Sequence, residues 1–295
     1  QKLSTSVYEN KPLRKCHHLA RTIETLNPDI LMLCEVGGLE SLENFNEMFL
    51  KKNYSVALVE GNSDRNIDVG YLIKKDLPFY FDLSTNKNRP INFLYHHEKK
   101  TAKPGQSHRF SRDVAELKLF TRTQDDPFLM LFLTHLKSPR DYDGIDAAGF
   151  ERRKAELATL VEIYTEARAK FPHVPAIVAG DFNGLAGKTG TDREFKLLYE
   201  KTDLLDVCEL TGLSPEARHT FYQVKSGFRV EGRQLDYCFL SNELHGLLNH
   251  SQTKVYHYVD ALGYEAPPPQ TLDSKSLLPS DHYPLVFELE KVKVW

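Results

Sequence analysis

Apolar residues recur along the chain in two periods, which predict helices and strands. They are spaced three and four positions apart from Leu13 to Leu26, and similar amphipathic patterns cover Leu39–Lys51 and Gly149–Phe171. This is the spacing of a helix with one buried face. Asn27-Pro28 follows the first pattern and predicts the end of that helix.

Short apolar runs between these segments predict strands, several of them buried on both faces. The predicted strands are Asp29–Cys34, Tyr54–Val59, Val69–Ile73, Val114–Leu119, Phe128–Leu133, Ala176–Val178, His219–Tyr222, Leu235–Leu240, Lys254–Val259 and Leu285–Leu289. The polar stretch from Asn86 to Ser111 predicts a long loop or hairpin tip. Helices that come in pairs between groups of strands predict two packed sheets flanked by helices. No linker divides the chain, so we expect one domain over residues 1–295.

Composition limits the chain's partners. The 295 residues include 38 lysines and arginines against 41 acidic residues, for a formal charge of −3. No global basic field attracts a polyanion, so any phosphate-bearing ligand must be bound by local groups. The four cysteines lack CxxC spacing, which argues against a zinc site or a disulfide framework and favours reduced thiols.

Two features of the sequence bear on the cellular compartment of the protein. No apolar run is long enough to cross a bilayer and no signal peptide is visible. We expect a soluble, monomeric protein, in the cytoplasm rather than secreted, although a chain that begins at Gln1 leaves open a signal peptide that has been removed.

Polar side chains at the ends of apolar strands are the main candidates for chemistry. They are Glu35; His135 with Lys137 and Ser138; Asp181 with Asn183; Asp236; and Asp281 with His282. Each has an ordinary alternative: Gly180–Gly184 could be only a turn, and Glu35 could be only a solvated strand end. If the strands lie side by side, however, all five ends converge on one site.

These residue types suit phosphoryl transfer. Glu35 and Asp281 offer the hard oxygen ligands of Mg²⁺ or Mn²⁺. A carboxylate such as Asp181 can orient or deprotonate water, while His282, His135 and Asn183 can offset charge on phosphate oxygens. Asp236 can hold His282 in the required state. The sequence has no serine–histidine nucleophile pattern and no glycine-rich phosphate cradle, which argues against acyl chemistry and nucleotide motors.

Four motifs in this order resemble those of the endonuclease/exonuclease/phosphatase superfamily, which has the DNase I-like fold. They are Asn27–Val36, Gly180–Asn183, Leu235–Tyr237 and Ser280–Leu285. The resemblance extends from about residue 13 to residue 290. It implies an α/β fold, specifically a four-layered α/β/β/α sandwich of two mostly antiparallel sheets, and an Mg²⁺- or Mn²⁺-dependent hydrolase of phosphoric esters.

The resemblance also implies roles for individual residues. Asp181 would align or activate the water, Asn183 would stabilise the pentacoordinate phosphorus, and His282, supported by Asp236, would contact the scissile phosphate. Metal binding would fall to Glu35, with Asp281 beside the metal. The residues that would face the phosphate are His135, Arg112, Lys137 and Ser138.

One feature of the superfamily is missing from the start of the chain. Its members begin with an apolar strand that ends in a metal-binding asparagine, and no apolar strand precedes Leu13. Asn10 stands at a plausible distance before Glu35, but its neighbours are a poor strand. We expect that strand to lie upstream of Gln1; the alternative is a metal site that lacks this ligand.

Nuclease action is the first substrate prediction, because His135–Ser138 resembles nuclease-like members more than lipid phosphatases. Inositol-phosphate or phospholipid phosphatase and sphingomyelinase-like phosphodiesterase activities are alternatives, since a fold does not determine its substrate. A binding module that kept the fold and lost the chemistry is the alternative of another class. Lys137, Arg140, Arg152 and Arg153 could form a basic rim, although a solvated helix face equally explains the last two.

Overall fold

A computed structural model describes residues 11–121, 126–141, 144–225, 229–260 and 262–292. Its helices are α1 (Leu13–Leu26), α2 (Leu39–Phe49), α3 (Phe150–Lys170), α4 (Lys196–Lys201), α5 (Val207–Leu210), α6 (Asn242–His245) and α7 (Leu272–Leu277). Its strands are β1 (Ile30–Val36), β2 (Tyr54–Ala57), β3 (Asp68–Lys74), β4 (Tyr80–Thr85), β5 (Val114–Phe120), β6 (Leu129–His135), β7 (Ala176–Asp181), β8 (Leu205–Asp206), β9 (Phe221–Lys225), β10 (Arg229–Arg233), β11 (Asp236–Leu240), β12 (Lys254–Val255) and β13 (Leu285–Val286). Every described helix is too short or too polar to cross a bilayer.

The two largest sheets form the middle of the molecule. One has three described strands in the order β1-β3-β2, and the other has six in the order β4-β5-β6-β7-β11-β8. All neighbouring strands are antiparallel except β6 and β7, which are parallel and are connected through α3. A parallel pair needs such a crossover, because a tight turn can join only antiparallel strands.

Three apolar cores separate four layers. Helices α1 and α2 pack on the three-stranded sheet, where Ile23 and Leu42 meet Leu72. The second core lies between the two sheets, and α3 packs with α4 on the outer face of the six-stranded sheet to form the third. Residues 129–133 of β6 are all apolar because Phe132 faces α3 while Leu131 faces the other sheet. The predicted α/β/β/α sandwich is confirmed.

The helix α1 has the predicted bounds, and Asn27 ends it in a left-handed conformation with a φ of 45°. Strand β1 differs from its prediction: it is half-buried rather than buried on both faces, because it lies at one end of the described three-stranded order. The stretch 86–111 is largely loop, as predicted. Within this stretch His108 is half-buried, and its Nε2 lies 2.8 Å from Glu98 Oε2.

The apolar pattern of the sequence did not predict strands β4 and β10. Strand β4 is an edge strand of the six-stranded sheet, and β10 pairs only with β9. Arg229, Glu231 and Arg233 give β10 the composition of a loop. The last two predicted strands are also shorter than expected: within the described residues β12 and β13 pair with each other over two residues, and an isolated bridge joins Leu289 to Leu248. Edge strands and isolated ribbons lack the apolar signature of a central strand.

Candidate active site

Three neighbouring strands of the six-stranded sheet bring polar side chains to the same level. The register pairs His135 of β6 with Asp181 of β7, and Asp181 with Asp236 of β11. His135 and Asp181 are buried, with 3% and 6% of their surfaces exposed. Two carboxylates directly opposite each other in a sheet repel, so this end of the sheet needs a compensating cation.

His282 supplies that cation. Its Nδ1 lies 2.7 Å from Asp236 Oδ2, and its backbone carbonyl accepts a hydrogen bond of 2.8 Å from the Tyr258 hydroxyl. The Phe221 ring contacts the imidazole, with 5.0 Å between ring centroids. One potential ligand atom from each of Asp181, Asp236 and His282 lies within 4.8 Å of the others. These three residues form the centre of the site.

The approach of β7 to β6 depends on glycine. Gly180 has a φ of 140°, and a Cβ there would lie 1.8 Å from the Thr134 carbonyl oxygen. Only glycine therefore lets the chain pass at this point, immediately before Asp181. The predicted turn is also present, because Asn183 adopts a left-handed φ of 53°. The turn and the polar cluster are the same structure rather than alternatives.

Asn183 fixes the Asp181 carboxylate. Its backbone N–H donates to Asp181 Oδ1 at 2.8 Å and its Nδ2 donates to Oδ2 at 3.2 Å. The same Nδ2 donates to the Leu136 carbonyl at 3.0 Å, which connects the ends of β6 and β7. Both carboxylate oxygens of Asp181 are therefore oriented by one residue.

Burial and charge shift the protonation of this cluster in opposite directions. Burial, followed by the charge of Asp236, raises the pKa of Asp181 to about 7, and His282 works against this rise. Burial opposes a charge on His282, but the Asp236 carboxylate outweighs it and raises the pKa of His282 to about 10. At neutral pH the pair is thus an imidazolium with an aspartate, beside a carboxylate that can accept a proton.

His135 is held neutral. Burial, and then the nearby charge of Arg112, lower the pKa of its imidazole. Its Nε2 lies 3.5 Å from Asp181 Oδ2, and its buried Nδ1 has no hydrogen-bond partner in the described part of the chain. A neutral imidazole with an unused nitrogen can donate or accept one further hydrogen bond.

Two of the predicted phosphate-facing residues, Arg112 and Lys137, differ in their hydrogen bonds. Arg112 is 7% exposed, and its Nε has no partner among the described residues. Burial lowers the pKa of its guanidinium, and the charges of Glu35 and Asp181 oppose this shift. The Lys137 ammonium instead donates to the carbonyls of Ser138 and Arg140, at 3.0 and 2.7 Å. Arg112 therefore belongs to the cluster, whereas the charge of Lys137 is bound to its own loop.

Glu35 and Asp281 lie at the border of the site, outside the cluster of Asp181, Asp236 and His282. Glu35 is exposed and has a φ of 57° where the β1–β3 register shifts, so a bulge interrupts the strand there. The Asp281 carboxylate oxygen Oδ2 lies 3.7 Å from Lys275 Nζ. Both carboxylates act on the Lys11 ammonium, whose pKa is lowered by burial and raised by these two charges.

This donor chemistry fits a hard divalent cation. Glu35 and Asp281 offer carboxylate oxygens, which are the ligand type that Mg²⁺ prefers in proteins. Glu35 makes no ion pair within the described residues, so its oxygens are available. Asn10, the candidate first-strand asparagine, lies outside the described residues.

Two residues beside His282, Lys275 and Phe221, were not predicted as site residues from the sequence. Lys275 Nζ lies 3.6 Å from the centroid of the Phe221 ring, which in turn contacts His282, and it donates to the Tyr222 carbonyl at 2.9 Å. Lys275 belongs to α7, a short helix with a capping box formed by Thr271 and Ser274. The apolar pattern predicts no helix there, and nothing local indicates that its lysine points to the site.

No protein-family model matches the sequence, and no curated protein matches it either. Solved structures do match in shape. A complex of D. rerio TDP2 with a single-strand DNA product is 17% identical, covers 94% of this chain and 92% of its own, and has a TM-score of 0.60. The mannosyl-6-phosphatase Bt3783 of Bacteroides thetaiotaomicron is 18% identical over 94% and 90% of the two chains, also with a TM-score of 0.60.

A third structure carries the family name itself. An endonuclease/exonuclease/phosphatase family protein from Bacteroides thetaiotaomicron is 16% identical, covers 94% of this chain and 88% of its own, and has a TM-score of 0.57. All three comparisons extend over nearly the whole chain. The protein therefore has the fold of these structures, which is the predicted DNase I-like α/β sandwich.

Proposed function

We propose that this protein is a phosphoesterase that hydrolyses a phosphoric ester by direct attack of water on phosphorus. The observation that carries the proposal is the cluster of Asp181, Asp236 and His282, whose ligand atoms lie within 4.8 Å of one another. The cluster combines a proton-accepting carboxylate with a fixed imidazolium. Both are needed when water attacks a phosphate that is already negative.

Asp181 orients the water and accepts its proton. The two hydrogen bonds from Asn183 fix the carboxylate, and its raised pKa brings its proton affinity close to neutral pH. A base with a pKa near the working pH is both largely ionised and sufficiently basic. The resemblance also gives Asn183 the role of stabilising the pentacoordinate phosphorus. Both Nδ2 hydrogens are used in bonds to Leu136 and Asp181, so the amide would have to exchange one of these bonds to donate to the phosphate.

His282 contacts the scissile phosphate. Its Nδ1 is bonded to Asp236, so Nε2–H remains to donate to a phosphate oxygen. The raised pKa keeps this proton in place through the reaction. His135 and the Arg112 guanidinium offer further donors on the side of Asp181 away from Asp236, and Lys137 and Ser138 follow in the loop after β6.

Glu35 and Asp281 would hold a divalent cation, Mg²⁺ or Mn²⁺, which would supply positive charge to a phosphate oxygen. We therefore expect EDTA to abolish turnover and added Mg²⁺ to restore it. Replacing Glu35 by Gln should raise the Mg²⁺ concentration needed for half-maximal rate.

A nucleic acid strand is the first candidate substrate. The D. rerio TDP2 neighbour holds a single-strand DNA product, which supports this choice. A net charge of −3 disfavours tight non-specific binding of a duplex, so a single strand bound through local groups is the better candidate. The mannosyl-6-phosphatase neighbour, equally similar in shape, supports a sugar phosphate monoester as the second candidate.

A substrate panel tests the proposal. It contains single-stranded and duplex DNA, RNA, mannose 6-phosphate, inositol phosphates and a sphingomyelin analogue, each with Mg²⁺, Mn²⁺ or EDTA. Wild type, Asp181→Ala and His282→Ala are compared. Cation-dependent turnover that both substitutions remove supports the proposal. Equal turnover in all three proteins, or none with any ester, contradicts it, and binding without turnover would favour the non-catalytic module.

A further inference from the structure

The first turns of α3 contain two buried charged side chains that the proposed chemistry does not use. Arg153 is 4% exposed and Glu156 is fully buried, although α3 lies on the outer face of the six-stranded sheet. A solvated helix face was an equally good prediction for Arg153. Burying a charge is costly unless its hydrogen-bonding atoms are satisfied, so the contacts of these side chains need an explanation.

Glu156 joins the two segments that contain the phosphate-facing residues. Its Oε1 accepts a hydrogen bond of 2.7 Å from the backbone N–H of Ser111, next to Arg112. Its Oε2 accepts one of 2.6 Å from the backbone N–H of Lys137, two residues after His135. One buried carboxylate thus fixes the main chain on both sides of the site.

Arg153 holds the same loop from its other side. Its Nη1 donates to the carbonyls of Lys137 and Ala148, at 3.1 and 3.0 Å. Its Nε and Nη2 donate to Glu194 Oε1, at 3.1 and 2.5 Å, and this carboxylate balances the buried charge of Arg153. The backbone N–H and the carbonyl of Lys137 are therefore both bound by side chains that lie three residues apart on α3.

We propose that Arg153 and Glu156 are positioning residues, which hold the segments around Arg112 and Lys137 in the conformation that binds the substrate phosphate. The proposal rests on the proposed function. Neither segment is held by a regular ladder: Arg112 precedes β5 and Lys137 follows β6. Loops of this kind lose backbone entropy when they are ordered for binding, and contacts made before binding remove that cost.

Amide hydrogen exchange tests the contacts without any substrate. We expect slow exchange at the Ser111 and Lys137 amides of the wild-type protein, and exchange at least about tenfold faster in Glu156→Gln, because one N–H loses its charged acceptor. The matched control is Glu151→Gln, an exposed glutamate on the same helix that makes no ion pair with the described residues. Unchanged exchange in Glu156→Gln overturns the proposal.

Kinetics with the preferred ester test the consequence. In Glu156→Gln we expect KM to rise about tenfold with a smaller change in kcat, because phosphate contacts made in both ground and transition states are weakened. Arg153→Lys is the second variant: it keeps a charge for Glu194 but loses the planar fork that reaches Lys137, and it should shift KM in the same direction. Melting temperatures are measured alongside. Wild-type KM in two folded variants with fast Lys137 exchange overturns the proposal.

Failure of the proposed function would look different. If the wild-type protein hydrolyses no ester in the panel, that function is wrong, and binding of inorganic phosphate then decides the role of the two residues. Weaker phosphate binding in Glu156→Gln than in Glu151→Gln supports positioning of an anion site. Equal binding in both variants overturns it.

Discussion

Two buried aspartates flank β11 in the six-stranded sheet, and they differ in almost everything except their burial. Asp181 of β7 lies opposite Asp236, and Asp206 of β8 lies opposite Phe239. Burial is the largest cause of a raised pKa in both, to about 7 in each case. A perturbed pKa by itself therefore does not distinguish a candidate catalytic group from a structural one.

Their surroundings do distinguish them. Asp181 receives two hydrogen bonds from Asn183 and faces the His282 imidazolium. Asp206 accepts a hydrogen bond of 2.9 Å from the side-chain amide of Gln234, while its Oδ1 has no partner among the described residues. Asp181 is oriented by donors beside a cation at a strand end, whereas Asp206 is simply buried.

The largest expected effect comes from Asp181→Asn. The side chain keeps its shape but can no longer accept the proton of water, so we expect kcat to fall about 10²- to 10⁴-fold. Stability at pH 7 should not fall, because the repulsion with Asp236 disappears. Turnover assays and thermal melting check both expectations. Asp206→Asn is the matched control and should keep wild-type kcat.

His282→Ala should come next. We expect turnover to fall about 100-fold or more and the free energy of unfolding to fall by about 1–3 kcal/mol at pH 7, because Asp181 and Asp236 lose the cation between them. Denaturant unfolding measures the second effect. The double variant His282→Ala with Asp236→Asn should recover part of the stability but none of the activity. No recovery would mean that carboxylate repulsion does not cause the loss.

Asp206→Asn should change stability rather than activity, and the effect should depend on pH. The pKa of Asp206 is about 7 in the folded protein and about 3.9 when unfolded. The folded state then binds more protons between these values, so this residue's contribution to stability falls as pH rises from about 4 to 7. We expect the variant to gain about 1–3 kcal/mol over wild type at pH 8 and almost nothing at pH 4. Unfolding at both pH values checks this, and an equal gain at both would contradict it.

The smallest effect should come from Gln234→Leu, which removes the donor to Asp206. The loss should be about 1.5 kcal/mol at pH 8, at the low end of the range for hydrogen bonds to a charged group. In the Asp206→Asn background the same substitution should cost less, and a double-mutant cycle measures the difference. A cost that does not depend on residue 206 would show that Gln234 stabilises the fold by another route.

The strand-end pattern predicted the residues at the centre of the site, but it also included Glu35 and Asp281, which lie at its border, and it did not indicate how the residues are connected. The apolar runs before His135 and Asp181 and after Asp236 predicted three central strands, and their register brings the three side chains to one level. The same pattern missed β4 and β10, because edge strands have one polar face and little apolar signal. It left only a basic rim or a solvated face as alternatives for Arg153, because a buried ion pair leaves no mark in hydrophobic periodicity.

The sequence by itself determined the layered α/β architecture, the polar strand ends and the glycine before Asp181. These follow from local rules, since apolar periodicity, turn residues and chirality act within a few positions. The tertiary structure alone decided that His282 pairs with Asp236, 46 residues earlier in the chain, and that Glu156 joins Ser111 to Lys137. Protonation was decided there too, because burial and neighbouring charge shift the pKa values of Asp181 and His282, and both depend on residues that are distant in sequence.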